Sequence, residues 1–281
     1  MPVVSTNTAA NSALRFLNYN SAQSTSSVSK LASGSRIVKA SDDAAGLAIG
    51  SRLQADVTVL KQAQINASQG ASVLQVADGG LARIGDVLQR MKTLAAQSLS
   101  GVPTDDERAF INAEYQELIN EIDGIAQTTR FNGESLLDGS SAQFGGSVDF
   151  FVGTDASDVI TVDLSAIATG ASDFTSATLG LGTGVDTAAN AADAMDEVDA
   201  ALDLISEARA NVGALISRFE FRGQQIATSL ENIDAAKSAI MDVDLAQEQS
   251  KLVSSQVLVQ AAVSALSQAN QIPQALLRVL Q

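Results

Sequence analysis

Few residues in this chain could do chemistry, and their types narrow what it would be. Asp42 and Asp43 are adjacent carboxylates, Asp242 and Asp244 flank Val243, and Asp155 and Asp158 follow Gly153. A carboxylate pair could exchange protons, and acids beside a glycine turn could hold a hard cation such as calcium. Each has a plainer reading. Asp42-Asp43 stands where a helix should begin, and acids there cap free N–H groups and answer the helix dipole. Asp242 and Asp244 are expected to face solvent or a neighbouring subunit, and Asp155 and Asp158 to lie in a solvated hairpin turn. Gly180-Leu181-Gly182-Thr183-Gly184 has the glycines of a phosphate loop but neither its preceding strand nor its basic residue. Asn66-Ala67-Ser68 is an Asn-x-Ser sequence inside an expected helix. The chain has no histidine and no cysteine. That removes the commonest general base, the commonest transition-metal ligand, thiol nucleophiles and disulfides. No catalytic site, metal or cofactor is expected.

What the sequence does supply is helix. From Met195 to Ile240 one seam runs at 3–4 spacing through Val198, Leu202, Ile205, Arg209, Val212, Ile216, Phe219, Gly223, Ile226, Leu230, Ile233 and Lys237. As a single helix this segment would be roughly 70 Å long. Such a seam must bury against similar helices, as in coiled coils. The composition agrees: 46% hydrophobic but only 4% aromatic, with no tryptophan, suits narrow helix packing. The net charge of −15 argues against nucleic acid and anionic membranes, and helps disperse a soluble form. No run is read as long enough to span a bilayer, and no charged start precedes an apolar core as in a cleaved signal. The serine-rich, acid-free stretch 1–41 also has the composition of an organellar transit peptide, a reading that leaves its heptads unexplained.

Those heptads run through Ala10, Leu14, Leu17, Ser21, Ser24, Val28, Leu31 and Ser35, ending in a break at 34–40. Ser41 or Asp42 should then cap a helix to about Ser98. Its later stripe is Leu74, Ala77, Leu81, Ile84, Leu88, Met91 and Ala95, and Gly79-Gly80 weakens it. Gly101-Val102-Pro103 stops it, and Thr104 with Glu107 forms a capping box. The next helix has Ile111, Tyr115, Leu118, Ile122, Ile125 and Thr129 in phase and closes at a Phe131-Asn132-Gly133 turn. Two β-prone runs, Ser147 to Val152 and Val159 to Leu164, predict a hairpin, followed by a loose glycine-rich return. After Asp242-Val243-Asp244 the last arm carries Leu252, Gln256, Val259, Val263, Leu266 and Asn270. The expected fold is therefore mainly α: a long antiparallel helical rod or coiled coil formed by the two halves, with a small central β-hairpin segment. The expected divisions are an N-terminal coiled-coil arm (1–41), N-terminal rod helices (42–138), the hairpin segment (139–186), a C-terminal rod helix (187–241) and a C-terminal coiled-coil arm (242–281). Neither arm has enough to bury against to be stable alone.

Several blocks resemble bacterial flagellin. They are Asn7-Thr8-Ala9-Ala10 with Leu14 and Leu17, then Lys30 to Ile37, then Ala40-Ser41-Asp42-Asp43-Ala44-Ala45-Gly46-Leu47-Ala48-Ile49. Glu121-Ile122-Asp123 with Thr129-Arg130-Phe131-Asn132-Gly133, Asp242 to Glu248, and Gln268 to Gln274 follow in the family's order. The resemblance covers roughly 1–138 and 187–281. Leu245 stands where the family usually has an aromatic, and Ala239 where it often has an arginine. The middle is far shorter than in many flagellins.

The resemblance implies a secreted subunit that polymerises into the extracellular flagellar filament for swimming. Its arms would fold on assembly through Leu14, Leu17, Val28, Leu31, Leu252, Val259, Val263 and Leu266. Implied partners are other copies of the chain, a flagellar export chaperone of the type III pathway, and the cap and hook-junction proteins, with no nucleic acid and no membrane insertion. A host Toll-like receptor contacts the family at positions matched by Arg90, Leu94 and Glu114, although the surroundings depart at Lys92 and Thr93. The plain alternative makes Arg90 and Glu114 exposed helix charges and Leu94 a packing residue. Two other readings stay open: a hook–filament junction protein, and a surface adhesin displaying Phe144, Phe150 and Phe151. The zinc peptidase carried by some flagellins needs two histidines that are absent here.

Overall fold

A computed structural model describes residues 7–141, 143–165 and 173–279. In order these form α1 (Thr8–Ser33), α2 (Ala44–Leu99), α3 (Asp105–Thr128), β1 (Arg130–Phe131), β2 (Glu134–Ser135), β3 (Ser147–Phe151), β4 (Val159–Asp163), α4 (Ala188–Met241) and α5 (Leu245–Val279). The fold is mainly α with small antiparallel hairpins, and it divides into two compact units. One comprises Met1–Val57 with Glu231–Gln281, the other Thr58–Leu230. The helices α2 and α4 each contribute to both.

In the larger unit the core lies where α2, α3 and α4 place their apolar stripes. Every residue of the expected α2 stripe, Leu74 through Ala95, is buried. On α4 the buried residues are Ala191, Ala194, Val198, Ala201, Ile205, Ala208, Val212, Phe219 and Ile226. The expected seam is thus correct at every seventh residue from Val198 to Ile226. At the alternate positions it is one residue late: Ala194, Ala201 and Ala208 face inward where Met195, Leu202 and Arg209 were expected. Alanine has the smallest side chain that still favours helix, so the neighbouring helix comes close there. Arg209 instead reaches out to pair with Asp78 at 2.9 Å.

Thr104 and Glu107 make the capping box that begins α3. The expected turn after α3 is a hairpin of its own. Arg130 pairs with Ser135 and Phe131 with Glu134 around Asn132 (φ 53°) and Gly133 (φ 89°). Positive φ at both central residues matches the Asn-Gly turn whose twist suits a two-residue connection. The β3–β4 hairpin runs in register from Ser147↔Asp163 to Phe151↔Val159. Phe150 packs edge-on against Phe219, with ring centres 5.5 Å apart.

The return from the hairpin is not loose where it is described. Ser176 N–H donates to Asp123, Gly182 and Thr183 N–H groups to Glu197, and Val185 N–H to Asn112. Phe174, Leu179, Leu181 and Val185 are buried. Acceptors on α3 and α4 satisfy this backbone, which composition alone could not reveal.

Within the smaller unit α1 and α5 lie antiparallel. Asn7 Nδ2 donates to Ala269 O at 2.8 Å, and Ser27 Oγ donates to Glu248 Oε1 at 2.6 Å. Gly34 (φ 69°) ends α1. The following chain seals the end of α4: Arg36 N–H donates to Met241 O, Arg36 Nη2 to Ile240 O, and Val243 N–H to Gly34 O. One expectation about α5 needs correction. Over Leu245–Gln271 it is long and apolar enough to cross a bilayer by length and composition. Its alanines, valines and leucines are spread around the helix among Gln and Ser, so no uninterrupted apolar run marks it.

Gly79 and Gly80 do not interrupt α2, and they differ. A Cβ at Gly80 would stand 2.6 Å from Thr129 Oγ1 and 2.7 Å from Leu137 Cδ1, whereas one at Gly79 would meet nothing within 4 Å. Gly80→Ala should therefore lower stability by about 1–3 kcal/mol through overpacking. Gly79→Ala should raise it by up to about 1 kcal/mol through helix propensity. Urea unfolding of the two variants checks both signs, and equal effects would contradict the packing described.

Candidate functional site: the paired terminal helices

Small residues set how α1 meets α5. The inward line of α1 is Ala10, Ala13, Leu17, Asn20, Ser24, Ser27 and Leu31; that of α5 is Glu248, Leu252, Ser255, Val259, Ala262, Leu266 and Ala269. Each advances by alternating three and four residues, the spacing of a helix–helix seam. Of the residues expected to carry assembly, Leu252 is buried, and Leu17, Leu31, Val259 and Leu266 are half-buried on these lines. Leu14, Val28 and Val263 are exposed beside them. The structure therefore brings five of the eight together and turns three outward.

The outward faces also carry large apolar residues. On α1 Leu14, Phe16, Tyr19 and Val28 are exposed, and on α5 Leu245, Val253, Val257, Leu258 and Val263. Ser27 is the only residue of α1 that is fully buried. A helix pair that leaves phenylalanine, tyrosine, leucine and valine exposed beside a seam of mixed small and aliphatic residues presents an apolar face of the kind found at protein–protein contacts. Sequence reasoning missed Phe16, Tyr19, Val253, Val257 and Leu258. They were legible as a second apolar stripe, one step around each helix.

The seam's one charged group is Glu248. Its carboxylate is buried and accepts from Ser27 Oγ at 2.6 Å and from Lys251 Nζ at 3.2 Å. The Ser27 hydroxyl, helped by Lys251 and Lys30, holds this carboxyl below its ordinary value against the burial that would raise it.

The remaining acids are structural. Asp43 Oδ1 accepts from Gly46 N–H and so caps α2, while Asp42 Oδ2 accepts from Val38 and Lys39 N–H in the preceding turn. The cap is therefore Asp43, one residue beyond the expected position, because Asp42 is held by that turn. Asp244 Oδ1 accepts from Gln247 N–H and caps α5, and Asp242 accepts from Ser238. Asp158 accepts from Thr154 and Asp155 N–H and pairs with Arg222 at 3.1 Å. Those hydrogen bonds and Arg222 hold its carboxyl below the usual range. Among the described residues no group of three or more acids could hold a metal. Asn66 Nδ2 is engaged with Phe151 O inside α2.

Arg90 and Glu114 are brought together across α2 and α3 by an exposed ion pair at 2.6 Å. Leu94 lies in the core beneath them, 2% exposed.

Comparison with known proteins agrees with this architecture. The family model for the bacterial flagellin N-terminal helical region matches residues 4–142, and that for the flagellin C-terminal helical region matches residues 195–280. A flagellin of Halalkalibacterium halodurans is 37% identical over 99% of this chain and 100% of its own length. Flagellin FlaB1 of Treponema pallidum is 32% identical over 99% of this chain and 100% of its own length. The crystal structure of Bacillus cereus flagellin superposes with a TM-score of 0.50 at 28% identity, covering 62% of this chain and 94% of that one.

The Glu248 contact gives the α1–α5 pairing a pH dependence of fixed sign. A carboxyl whose folded pKa is depressed contributes stability that is complete above its unfolded value, about 4.3, and is lost as pH falls through the lower folded value. In any state that holds α1 on α5, acid titration by circular dichroism should show helix loss in that window. Ser27→Ala should move the midpoint to higher pH. An identical midpoint in Ser27→Ala would remove the role assigned to this hydrogen bond.

Proposed function

Because this chain belongs to the bacterial flagellin family, we propose that it polymerises into the extracellular flagellar filament through α1 and α5. Flagellins are structural subunits rather than enzymes. The observation that carries the reading is the apolar outer face of each terminal helix, left uncovered in a single chain. Another copy offering the same helices can cover it, and a contact that does not close on itself yields an open filament.

The same faces support coupled folding and assembly. α1 has 26 residues and α5 has 35. Ordering them costs about 1–2 kcal/mol per residue. Within one chain the seam buries Leu252 and covers Leu17, Leu31, Val259 and Leu266 only in part, which offsets little of that. Each outer leucine, valine or phenylalanine contributes about 1.5–3 kcal/mol once buried. Order in the arms therefore depends on the neighbours that bury them, and the arms fold on assembly. The rest of the assignment follows the family: secretion by type III export with a chaperone, then addition between hook-junction and cap proteins. A chain without cysteine suits passage to an oxidising exterior.

A second reading is recognition by the Toll-like receptor that detects flagellin. It is favoured by the exposed Arg90–Glu114 pair, which presents a guanidinium and a carboxylate side by side. Leu94 would act from beneath by supporting α2.

Two measurements follow. Hydrogen exchange should be fast in 8–33 and 245–271 of the soluble subunit and slow in the polymer, and a chain lacking 1–41 and 242–281 should stay monomeric by sedimentation. Slow exchange in soluble arms, or filaments from the shortened chain, would overturn the assembly mechanism. In a receptor reporter assay Arg90→Ala and Glu114→Ala should each lower potency about tenfold, as loss of an interface anchor does. Leu94→Ala should instead destabilise the protein by about 2–5 kcal/mol. Full potency in both charge variants would sink the recognition reading.

A further inference from the structure

The net charge of −15 is unevenly spread. Residues 1–41 hold four of the 17 basic residues, Arg15, Lys30, Arg36 and Lys39, and none of the 32 acids. A basic arm is thus joined to a strongly acidic body. The charge of the whole chain opposes an anionic surface. Charges act over only about a Debye length, ~8 Å at physiological salt, so the arm's own charge decides what the arm meets. Arg36 is occupied at the end of α4, where its Nη2 donates to Ile240 O. Lys39 lies in the turn beyond α1, and Arg15 and Lys30 lie on the helix itself.

Those two share a face of α1 with an aromatic pair. Arg15, Tyr19, Gln23, Ser26 and Lys30 follow one another at steps of four or three residues, and Phe16 stands beside them. Tyr19 is 67% exposed and Phe16 58%. The Arg15 guanidinium lies 5.6 Å from the centre of the Phe16 ring, a cation set over an aromatic face. No carboxylate pairs with Arg15 among the described residues. Arginine and lysine beside exposed tyrosine and phenylalanine suit a lipid–water boundary. The rings sit at headgroup level and the long basic stems reach outward to the phosphates.

The neighbouring faces complete the pattern once α1 leaves α5. At about 100° per residue, Ala13, Leu14, Phe16, Leu17, Val28 and Leu31 fall within one arc of about 160°. The line from Arg15 to Lys30 runs along one border of that arc. In the helix pair Leu17 and Leu31 are half-buried against α5, while Leu14 and Val28 are exposed. Asn20, Ser24 and Ser27 interrupt the arc midway, so α1 is not an apolar span of the kind that crosses a bilayer. Asn11, Asn18, Thr25 and Ser29 occupy the opposite side. A helix with an apolar arc, a basic border and a polar back lies in the plane of a membrane surface. An isolated arm is marginal as a helix, and a continuous lipid boundary supplies the surface it lacks.

We infer that α1 of the soluble subunit docks on an anionic lipid surface. It folds there as an in-plane helix, with Phe16 and Tyr19 among the headgroups and Arg15 and Lys30 against lipid phosphates. This goes beyond the filament reading and shares with it only the release of α1 from α5 before assembly. Lipid and neighbouring copies compete for the same side chains, so a subunit held on lipid is withheld from polymer. The headgroups that attract the basic arm repel the acidic body, which therefore points away from the surface.

The test is flotation of the full-length soluble subunit with lipid vesicles, below the concentration at which it polymerises. Vesicles of equal parts phosphatidylglycerol and phosphatidylcholine are compared with vesicles of phosphatidylcholine alone. Binding to the mixed vesicles should be tighter by about tenfold or more, should weaken with added salt, and should raise helix content by circular dichroism. One basic residue near such a surface is worth about fivefold in binding. Arg15→Glu, which also adds a negative charge, should weaken binding by about tenfold or more. Phe16→Ser should weaken it by about fivefold or more. Both residues are exposed, so unchanged melting of the variants checks that the fold is kept. Mixed vesicles should also raise the concentration needed for polymer. Equal binding to the two kinds of vesicle, binding without gain of helix, or full binding by both variants overturns the inference. Soluble glycerol phosphate bound as tightly as the vesicles would assign Arg15 and Lys30 to a free anion and also overturn it. Failure to polymerise without vesicles would remove the filament reading alone, since vesicle binding is read on the soluble subunit.

Discussion

The close approach of helices along seams of small residues is the constraint on which the rest depends. On α4 Ala194, Ala201 and Ala208 alternate with Val198, Ile205 and Val212. On the α1–α5 pair Ala13, Asn20 and Ser27 face a line containing Ser255, Ala262 and Ala269. Small side chains shorten the distance between helix axes, so even a modest aliphatic residue between them is fully enclosed. Larger residues at the same positions would hold the helices apart and leave the intervening leucines and valines partly wet. The 4% aromatic content follows from this, since a thick core is never formed.

The same constraint explains what was legible in the sequence and what was not. Helix periods were plain: the α2 stripe from Leu74 to Ala95 is buried throughout, and the capping box at Thr104 and Glu107 is made as the residues suggest. The phase of the seams was read only half correctly. Where a large apolar residue stands next to a small one, hydrophobicity favours the large one, so Leu14, Val28, Leu202 and Val263 seemed better seam residues than Ala13, Ser27, Ala201 and Ala262. Within one chain the small neighbour wins, because what decides the inward position is how near the partner helix must come. Distant acceptors were illegible for another reason. Nothing local in the glycine-rich return announces that Asp123, Asn112 and Glu197 take its N–H groups.

Turning the small residues inward necessarily turns large ones outward. On α1 and α5 this leaves Phe16, Tyr19, Val257 and Leu258 without cover. In a self-contained globule such a face would be an aggregation hazard. In a subunit that polymerises it is a held-back fraction of the folding energy, available only when another copy arrives. The net charge of −15 works in the opposite sense, keeping separate chains apart through mutual repulsion. In the assembly proposed above, arms that order only on association present no continuous apolar stripe to a chance partner beforehand.

Under the proposed mechanism order and association are one event in the arms, and that couples assembly to the detail of the seam. Glu248 illustrates the coupling. The buried carboxylate is satisfied by Lys251 on its own helix and by Ser27 from across the seam, and Ser27 is in place only when α1 lies on α5 in the correct register. A shift by one heptad breaks the Ser27 contact: one way it opposes Glu248 to residues beyond the end of α1, the other way to Asn20, whose amide would have to replace the hydroxyl. The penalty for an unsatisfied buried carboxylate is steep. A single polar contact inside a seam of small, nearly interchangeable residues thus supplies the register information that alanine and serine lack. That is the use for which buried polar groups in helix pairs are best attested.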